Sequence, residues 1–347
     1  MPECAKGERV TDKASTGTVK KQSWVKYQKP NVEVTLALLP PALFGVYNFG
    51  WRALLVILVA QVFGFATEFA FVYRHKKPVT AAVFVTSMLF ALIMPPTIPL
   101  WIVAVGVVFA VTFGKMVFGG FGQNPFNPAM TGRAFVYISF PVAMTARWSQ
   151  AADLWPRGLD NYLVDALTGA TPLTAGTQGA PVPYWQAFFG FTGGSIGETS
   201  FLLIALGGAY ILYKKYANWR IVVATAGTAI VLQTILYFTD NFGLTDHRAI
   251  DPLYMILTGG FGLGVFYMAT DPVSSASTDT GRWIYGAIIG VATVVIRSFG
   301  NFPEGFMFAV LLGNTFAPII DYTVRERNKA KRAAAQSKAA LPKGTTT

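Results

Sequence analysis

Ile98 to Gly114 reads IPLWIVAVGVVFAVTFG and Ile221 to Thr239 reads IVVATAGTAIVLQTILYFT, and neither stretch contains a charged residue. A helix rises about 1.5 Å per residue, so roughly 20 apolar residues cross a hydrocarbon core of about 30 Å. Working outward, the whole chain of 347 residues is 53% hydrophobic and only 13% charged, against about 25% charged in ordinary soluble domains. These features predict an all-α integral membrane protein.

Further apolar runs bring the expected number of transmembrane helices to about ten, at 32–49, 51–73, 79–95, 98–117, 125–144, 198–213, 220–239, 251–270, 283–299 and 302–321. Proline and glycine interrupt several of them, as at Pro40-Pro41, Pro95-Pro96 and Pro125 to Pro128. In lipid such breaks survive only where protein or a cavity satisfies the freed backbone groups. A bundle with an internal site is expected, rather than ten independent rods.

The net charge of +11 suggests nucleic acid in a soluble protein, but its distribution argues for topology. Seven of the 28 basic residues lie in residues 1–30 and seven follow Asp321. With the N-terminus inside, ten spans place 23 basic residues on the cytoplasmic side, counting Arg133, and five on the other: Arg52, Arg147, Arg157, Arg248 and Arg297. That asymmetry satisfies the positive-inside rule. No apolar core follows Met1, so the first span is expected to act as its own signal. Expected organisation is a basic cytoplasmic tail (1–31), a first transmembrane half (32–144), an extracytoplasmic loop (145–197), a second half (198–321) and a basic cytoplasmic tail (322–347), in a cell inner membrane.

GGFG occurs at Gly119 to Gly122 and again at Gly259 to Gly262. Each copy precedes a polar element with proline, Asn124-Pro125-Phe126-Asn127-Pro128 or Thr270-Asp271-Pro272. Two five-helix halves would be related by inversion, since an odd-numbered half flips its partner. Cys4 is the single cysteine, so this chain offers neither a disulfide nor an iron–sulfur or zinc knuckle. His75 and His247 fall on opposite sides of the expected topology, which leaves no metal site.

The outer loop holds Asp165-Ala166-Leu167-Thr168-Gly169-Ala170-Thr171-Pro172-Leu173. Small residues uncover two hydroxyls and Pro172 fixes the chain direction after Thr171; on spacing alone this is a turn, with Asp165 placed either to cap it or to bind a cation beside an incoming phosphate. The stretch resembles the D-x-x-[S/T]-G-A-T pattern of the RnfD and NqrB family of ion-translocating electron-transport subunits. Three further blocks are similar to that family: GGFGQNPFNPAMTGRAFVYISFPVAMT (Gly119 to Thr145), FYMATDPVSSASTDTGRWIYGAIIG (Phe266 to Gly290) and IRSFGNFPEGFMFAVLLGNTFAPIIDY (Ile296 to Tyr322). The resemblance runs from about residue 35 to 325.

The resemblance implies FMN esterified through its phosphate to Thr171 by a flavin transferase acting outside the cytoplasm, with Thr168, Gly169 and Ala170 as recognition sequence and Asp165 as its acidic element. It also implies a noncovalent riboflavin as a second flavin, with other membrane and peripheral subunits and membrane lipids as partners. Gly119, Gly120, Asn124 and Asn127 are candidates to approach a planar ligand, or else serve packing and capping. Asp271, Glu304 and Asp321 are candidates for an ion route, because carboxylates at membrane depth are costly and commonly functional; the alternatives are capping for Asp271 and Glu304 and an interfacial acid for Asp321. Arg133 either pairs an anion or snorkels to the interface.

The implied function is that of RnfD in an Rnf-type complex, coupling ferredoxin–NAD+ oxidoreduction to Na+ or H+ movement through covalent FMN. NqrB of a Na+-translocating NADH–quinone reductase is the alternative within the family, and a non-redox channel or transporter is the rival from another class. The chain alone is not a complete enzyme, and no catalytic residue is assigned.

Topology is directly testable. A cysteine at Gly176, in a variant lacking Cys4, is expected to react with an impermeant thiol reagent in intact spheroplasts, and one at Ala335 only after lysis. The reverse labelling would overturn the orientation.

Overall fold

The computed structural model describes residues 24–145, 148, 162, 172–177, 181–241, 250–300 and 305–340. In chain order the helices are α1 (Lys29–Phe49), α2 (Trp51–Tyr73), α3 (Ala82–Leu92), α4 (Leu100–Val111, prolonged to Met116 by a π-helical turn), α5 (Pro128–Ser139) and α6 (Pro141–Thr145). After the short α7 (Pro172–Thr177) and α8 (Tyr184–Phe189) come α9 (Phe201–Tyr213), α10 (Trp219–Asn241), α11 (Pro252–Leu257), α12 (Phe261–Leu263, prolonged by a π-helical turn to Met268), α13 (Asp279–Phe299) and α14 (Gly305–Ala340). The strands among the described residues are a two-residue parallel pair, Val25–Lys26 against Val79–Thr80.

Five helices are long and apolar enough to cross a membrane: α1, α2, α10, α13 and the part of α14 from Gly305 to Gln336. α3, α4 with its π turn, and α9 are apolar but shorter. The bundle displays apolar side chains on its outside, among them Leu58, Val62, Val231 and Ile235, a surface suited to lipid. This is a multi-pass helical membrane protein.

The runs expected at 125–144 and 251–270 are each broken. Pro141 supplies no N–H and its ring obstructs the preceding turn, so α5 ends at Ser139 and α6 begins afresh. Between α11 and α12, Gly259 and Gly260 adopt φ of 63° and 66°, a left-handed conformation costly for a side chain. A Cβ at Gly260 would also meet the Glu198 carboxylate. At the C-terminal side the run expected to end at 321 continues as helix to Ala340.

The breaks are closed by distant backbone. α3 stops before Pro95-Pro96, and its last carbonyls at Leu92 and Met94 accept hydrogen bonds from Gly197 N–H (2.7 Å) and Ile196 N–H (3.1 Å). Without these donors the carbonyls would sit unpaired at the helix end, at a cost of several kcal/mol each in hydrocarbon. α1 packs on α9 and α5 on α14, which joins the chain's two halves. Asn48 Nδ2 adds a bond to Gly190 O at 2.8 Å.

Arg133, expected as a charge near a membrane surface, is buried, and so are Lys115 and Arg297. Lys115, near the end of the run expected at 98–117, lies inside the bundle because the π turn of α4 aims it inward. Gly176 also differs from its loop reading, since a Cβ there would lie 2.6 Å from the Tyr254 ring. Pro181, exposed on the same segment, is the better position for the labelling cysteine.

Asp321 joins α13 to α14. Its Oδ2 accepts from Ser277 N–H (2.7 Å) and Oγ–H (2.6 Å), and its Oδ1 from Thr278 N–H (3.0 Å) and Oγ1–H (2.6 Å). Thr278 is the N-cap of α13, accepting from Gly281 N–H. The carboxylate therefore fixes the turn that starts α13, a structural duty beyond an interfacial acid. Hydrogen bonds to a charged acceptor contribute about 1.5–3 kcal/mol each. Asp321→Asn, which keeps shape but turns one acceptor into a donor, is expected to lower the melting temperature in detergent and to open the 271–279 segment to protease. Unchanged melting and protection would remove this role.

Candidate functional site

Helix α2 runs from one end of the bundle to the other, about 35 Å at 1.5 Å per residue, and carries Glu68 near its far end. There Lys115 Nζ lies 2.5 Å from Glu68 Oε2 and 2.8 Å from Thr80 Oγ1. Glu68 Oε1 accepts from Thr80 N–H (2.8 Å) and Oγ1–H (2.6 Å). Both charged side chains are at most 2% exposed. The Phe121 ring faces the ammonium at 5.9 Å. Such a pair is held in apolar surroundings only because the remaining lone pairs and protons also find partners.

A cavity of about 730 Å³, counting space open to solvent, begins at Lys115. Asn31, Thr86, Asn124, Asn127, Tyr267 and Asp271 add polar groups to a largely apolar wall. Two π-helical turns border it, Thr112–Met116, which carries Lys115, and Gly264–Met268 before Asp271. Such insertions re-aim side chains and are frequent at functional sites. Burial pushes the Asp271 carboxyl above the usual carboxylate range, against hydrogen bonds from Ser274 and Val273 and the field of Lys115.

The structure thus brings Asn124, Asn127 and Asp271 together, but it gives the asparagines structural work. Asn127 caps α5 by accepting from Ala129 N–H and Met130 N–H, and its Nδ2 ties Met268 O at 3.3 Å. Asn124 Nδ2 donates to Phe126 O. Gly119 and Gly120 adopt φ of 108° and 97°, a turn that glycine permits, and neither lines the cavity. Asp321 serves the α13 turn nearby. The two polar elements with proline share this end, whereas the second GGFG lies at the other end of α13, where Arg297 Nη2 bonds Gly259 O at 2.5 Å.

That opposite end holds a second polar cluster. Arg133 Nη1 pairs Glu198 Oε1 at 3.1 Å, so Arg133 binds an internal anion and does not snorkel. A crevice of about 450 Å³ runs beside Trp148, Leu173, Thr192 and Ser195. Asp251 caps α11 through Leu253 N–H and Tyr254 N–H, and this fixes Tyr254. The Tyr254 hydroxyl donates to Pro172 O (2.8 Å) and accepts from Val182 N–H (3.0 Å), so it clamps both flanks of α7. The buried Ser195 Oγ has no hydrogen-bond partner among the described residues. Asp165, Thr168, Gly169, Ala170 and Thr171 lie outside the described residues, as do Glu304, Cys4 and His247. The described chain resumes at Pro172, anchored at the mouth of this crevice. No cluster of metal-ligating side chains occurs among the described residues.

Sequence reasoning does not single out Glu68, Thr80 or Glu198. A lone glutamate inside the run of α2 is the available signal for Glu68; Glu198 stands among glycines and serines and offers none.

The sequence matches the NQR2, RnfD, RnfE family over residues 18–330. It is 42% identical over 290 residues to the NqrB component of the Na(+)-translocating NADH-quinone reductase of Ectopseudomonas mendocina, covering 80% of this chain and 68% of that one. The same component in Pseudomonas paraeruginosa is 42% identical over 278 residues, 77% of this chain and 64% of its own length. The RnfD component of the proton-translocating ferredoxin:NAD(+) oxidoreductase complex of Clostridium ljungdahlii is 41% identical over 305 residues, 83% of this chain and 87% of that one. The chain thus spans about two thirds of the length of these NqrB relatives and most of the RnfD relative.

The buried pair makes its own prediction. Glu68→Gln leaves the Lys115 ammonium enclosed without a counter-charge, and breaking a buried pair in this way costs about 3–5 kcal/mol. A lowered melting temperature in detergent is expected, largely restored in Glu68→Gln/Lys115→Met. A double variant no more stable than the single one would show that the ion pair is not what holds this corner.

Proposed function

The chain belongs to the NQR2, RnfD, RnfE family, whose members matched above are subunits of ion-translocating oxidoreductase complexes, and from that premise we propose that it is the flavin-bearing RnfD component of an Rnf-type complex. In this reading FMN is esterified to Thr171 and serves electron passage between ferredoxin and NAD+, coupled to Na+ or H+ movement. The observation that carries it is the sequence Asp165 to Thr171 running into Pro172, which Tyr254 holds at the mouth of a polar crevice. Bound there, FMN supplies one-electron chemistry. The protein's share is to present the Thr171 hydroxyl as nucleophile, with Gly169 and Ala170 leaving room for the transferase. Beside Pro172 the crevice offers an apolar wall, Trp148 and Leu173, and a Ser195 hydroxyl that is unpaired among the described residues.

The cavity at the opposite end is proposed as the seat of a noncovalent riboflavin. Its mixed wall supports this, with Asn124 and Asp271 as polar contacts. Asp271 is the first of the ion-route carboxylates to examine, since Asp321 is committed to the α13 turn; Glu304 stays a member of the proposed set.

The topology proposed is ten crossings in two inverted halves, with both termini cytoplasmic and the 145–197 loop outside. Its support is the placement of the two GGFG copies at opposite ends of the bundle and the basic residues of both tails. For the branch, coverage of 87% of an RnfD relative against 68% and 64% of NqrB relatives supports the Rnf type. NqrB is the second reading, supported by its equally high identity. Partners are the remaining subunits, the flavin transferase and lipid.

An ester survives denaturation, so the test is a denaturing gel. Wild-type protein made with a flavin transferase is expected to give a fluorescent band and a mass increase of one FMN less water. Thr171→Ala abolishes both, Asp165→Ala loses most of the label, and Thr168→Ala keeps part of it. Covalent flavin on Thr171→Ala would return the stretch to a simple turn and place the link elsewhere; none on wild type would favour a non-redox transporter.

A further inference from the structure

Beyond residue 321, α14 leaves the apolar bundle as a basic helix, and the groove between its exit and the start of α13 encloses about 690 Å³, counting space open to solvent. Its two halves differ in chemistry. Toward the membrane it is walled by Ile284 and Ile319, both exposed on the outside of the bundle. Toward the helix end it is walled by Thr280, Thr323, Arg327 and Lys331. Thr323, Arg327 and Lys331 are four residues apart, so they stand one above another on one face.

Aromatic residues mark where these halves meet. Trp283 adjoins Ile284 and stacks edge-on with Trp219 at 5.7 Å, and Tyr322 adjoins Thr323; all three are exposed. Trp and Tyr collect at headgroup depth, so the apolar half lies among acyl chains and the cationic half among phosphates. The nearby acids already have partners: Asp279 pairs Arg220 and Arg282, Glu326 pairs Lys329, and both Asp321 oxygens accept from Ser277 and Thr278. Arg327 and Lys331 form no ion pair among the described residues.

We propose that this groove is a binding site for an anionic phospholipid, its phosphate between Arg327 and Lys331 with the Thr280 hydroxyl, and an acyl chain along Ile284 and Ile319. A free phosphate would leave the apolar half bare, and an acidic protein segment would have no use for two lipid-facing isoleucines. Juxtamembrane basic residues attract anionic headgroups, and basic pockets between transmembrane helices hold them. The site depends on membrane insertion and stands independently of the flavin assignment.

The test is native mass spectrometry of the full-length chain, stripped of lipid and titrated with cardiolipin or phosphatidylcholine. Cardiolipin is expected to bind in preference, with affinity falling about tenfold or more in Arg327→Gln/Lys331→Gln. Lys329→Gln/Arg332→Gln removes the same charge from other faces of the helix and should bind as wild type. All four residues are exposed, so the variants fold. Equal losses in both double variants would show general charge attraction and overturn the groove, as would wild-type binding in Arg327→Gln/Lys331→Gln. Full competition by inorganic phosphate would reject the lipid. A photo-crosslinker at Ile319 should capture lipid in cells; capture of another subunit there would give the face to a protein partner.

Discussion

In a hydrocarbon slab no water is available, so each interrupted helix and each enclosed charge must find its partner within the protein. The architecture of this chain follows from meeting that demand at a few places. The open carbonyls at the end of α3 are answered by N–H groups about a hundred residues later, at Ile196 and Gly197. Met268 O, at the end of the π turn after α12, is answered by Asn127, and Gly259 O by Arg297. These bonds cross between the two halves of the chain or between distant elements of one half. Removing one would leave a polar group in an apolar interior, not merely a lost contact.

The same breaks give the bundle its chemistry. Continuous apolar helices would pack into an inert core, but shortened α3, the α11–α12 break and the two π turns leave space that polar groups line. At one end this space holds the Lys115–Glu68 pair and Asp271; at the other it holds Arg133, Glu198 and the Tyr254 clamp on Pro172. The relatives matched here are subunits of ion-translocating oxidoreductase complexes. The separation of the two polar places by a helix length is what a transmembrane path for charge would have to span.

Several residues have duties that their chemical type does not announce. Asn127, a candidate ligand contact by sequence, is a helix cap and an inter-half tie. Asp321, a candidate ion carrier, fixes the first turn of α13. Lys115, a charge near the end of an apolar run by its place in the sequence, is among the most buried side chains. In each case the side chain's meaning depends on a partner far away in sequence, and neither periodicity nor composition encodes who that partner is.

By itself the sequence determined that the chain spans a membrane as helices, because uncharged runs near 20 residues have no better environment than lipid. It also carried the family, through blocks spread from Gly119 to Tyr322, and with it the Thr171 motif, which is local and needs no fold to be legible. Where helices break was only partly visible: α3 ends before Pro95-Pro96 as expected, but α1 runs unbroken through Pro40-Pro41, and the breaks at Pro141 and Gly259-Gly260 fall inside runs read as continuous. Only the tertiary structure decided where those breaks meet and which charges they enclose. Glu68, Thr80 and Lys115 converge from α2, a two-residue strand and a π bulge, and Glu198 reaches Arg133 from 65 residues away. Pairing of this kind is set by the packing of whole helices, whose crossing points depend on every side chain along the contact and on no single stretch of sequence.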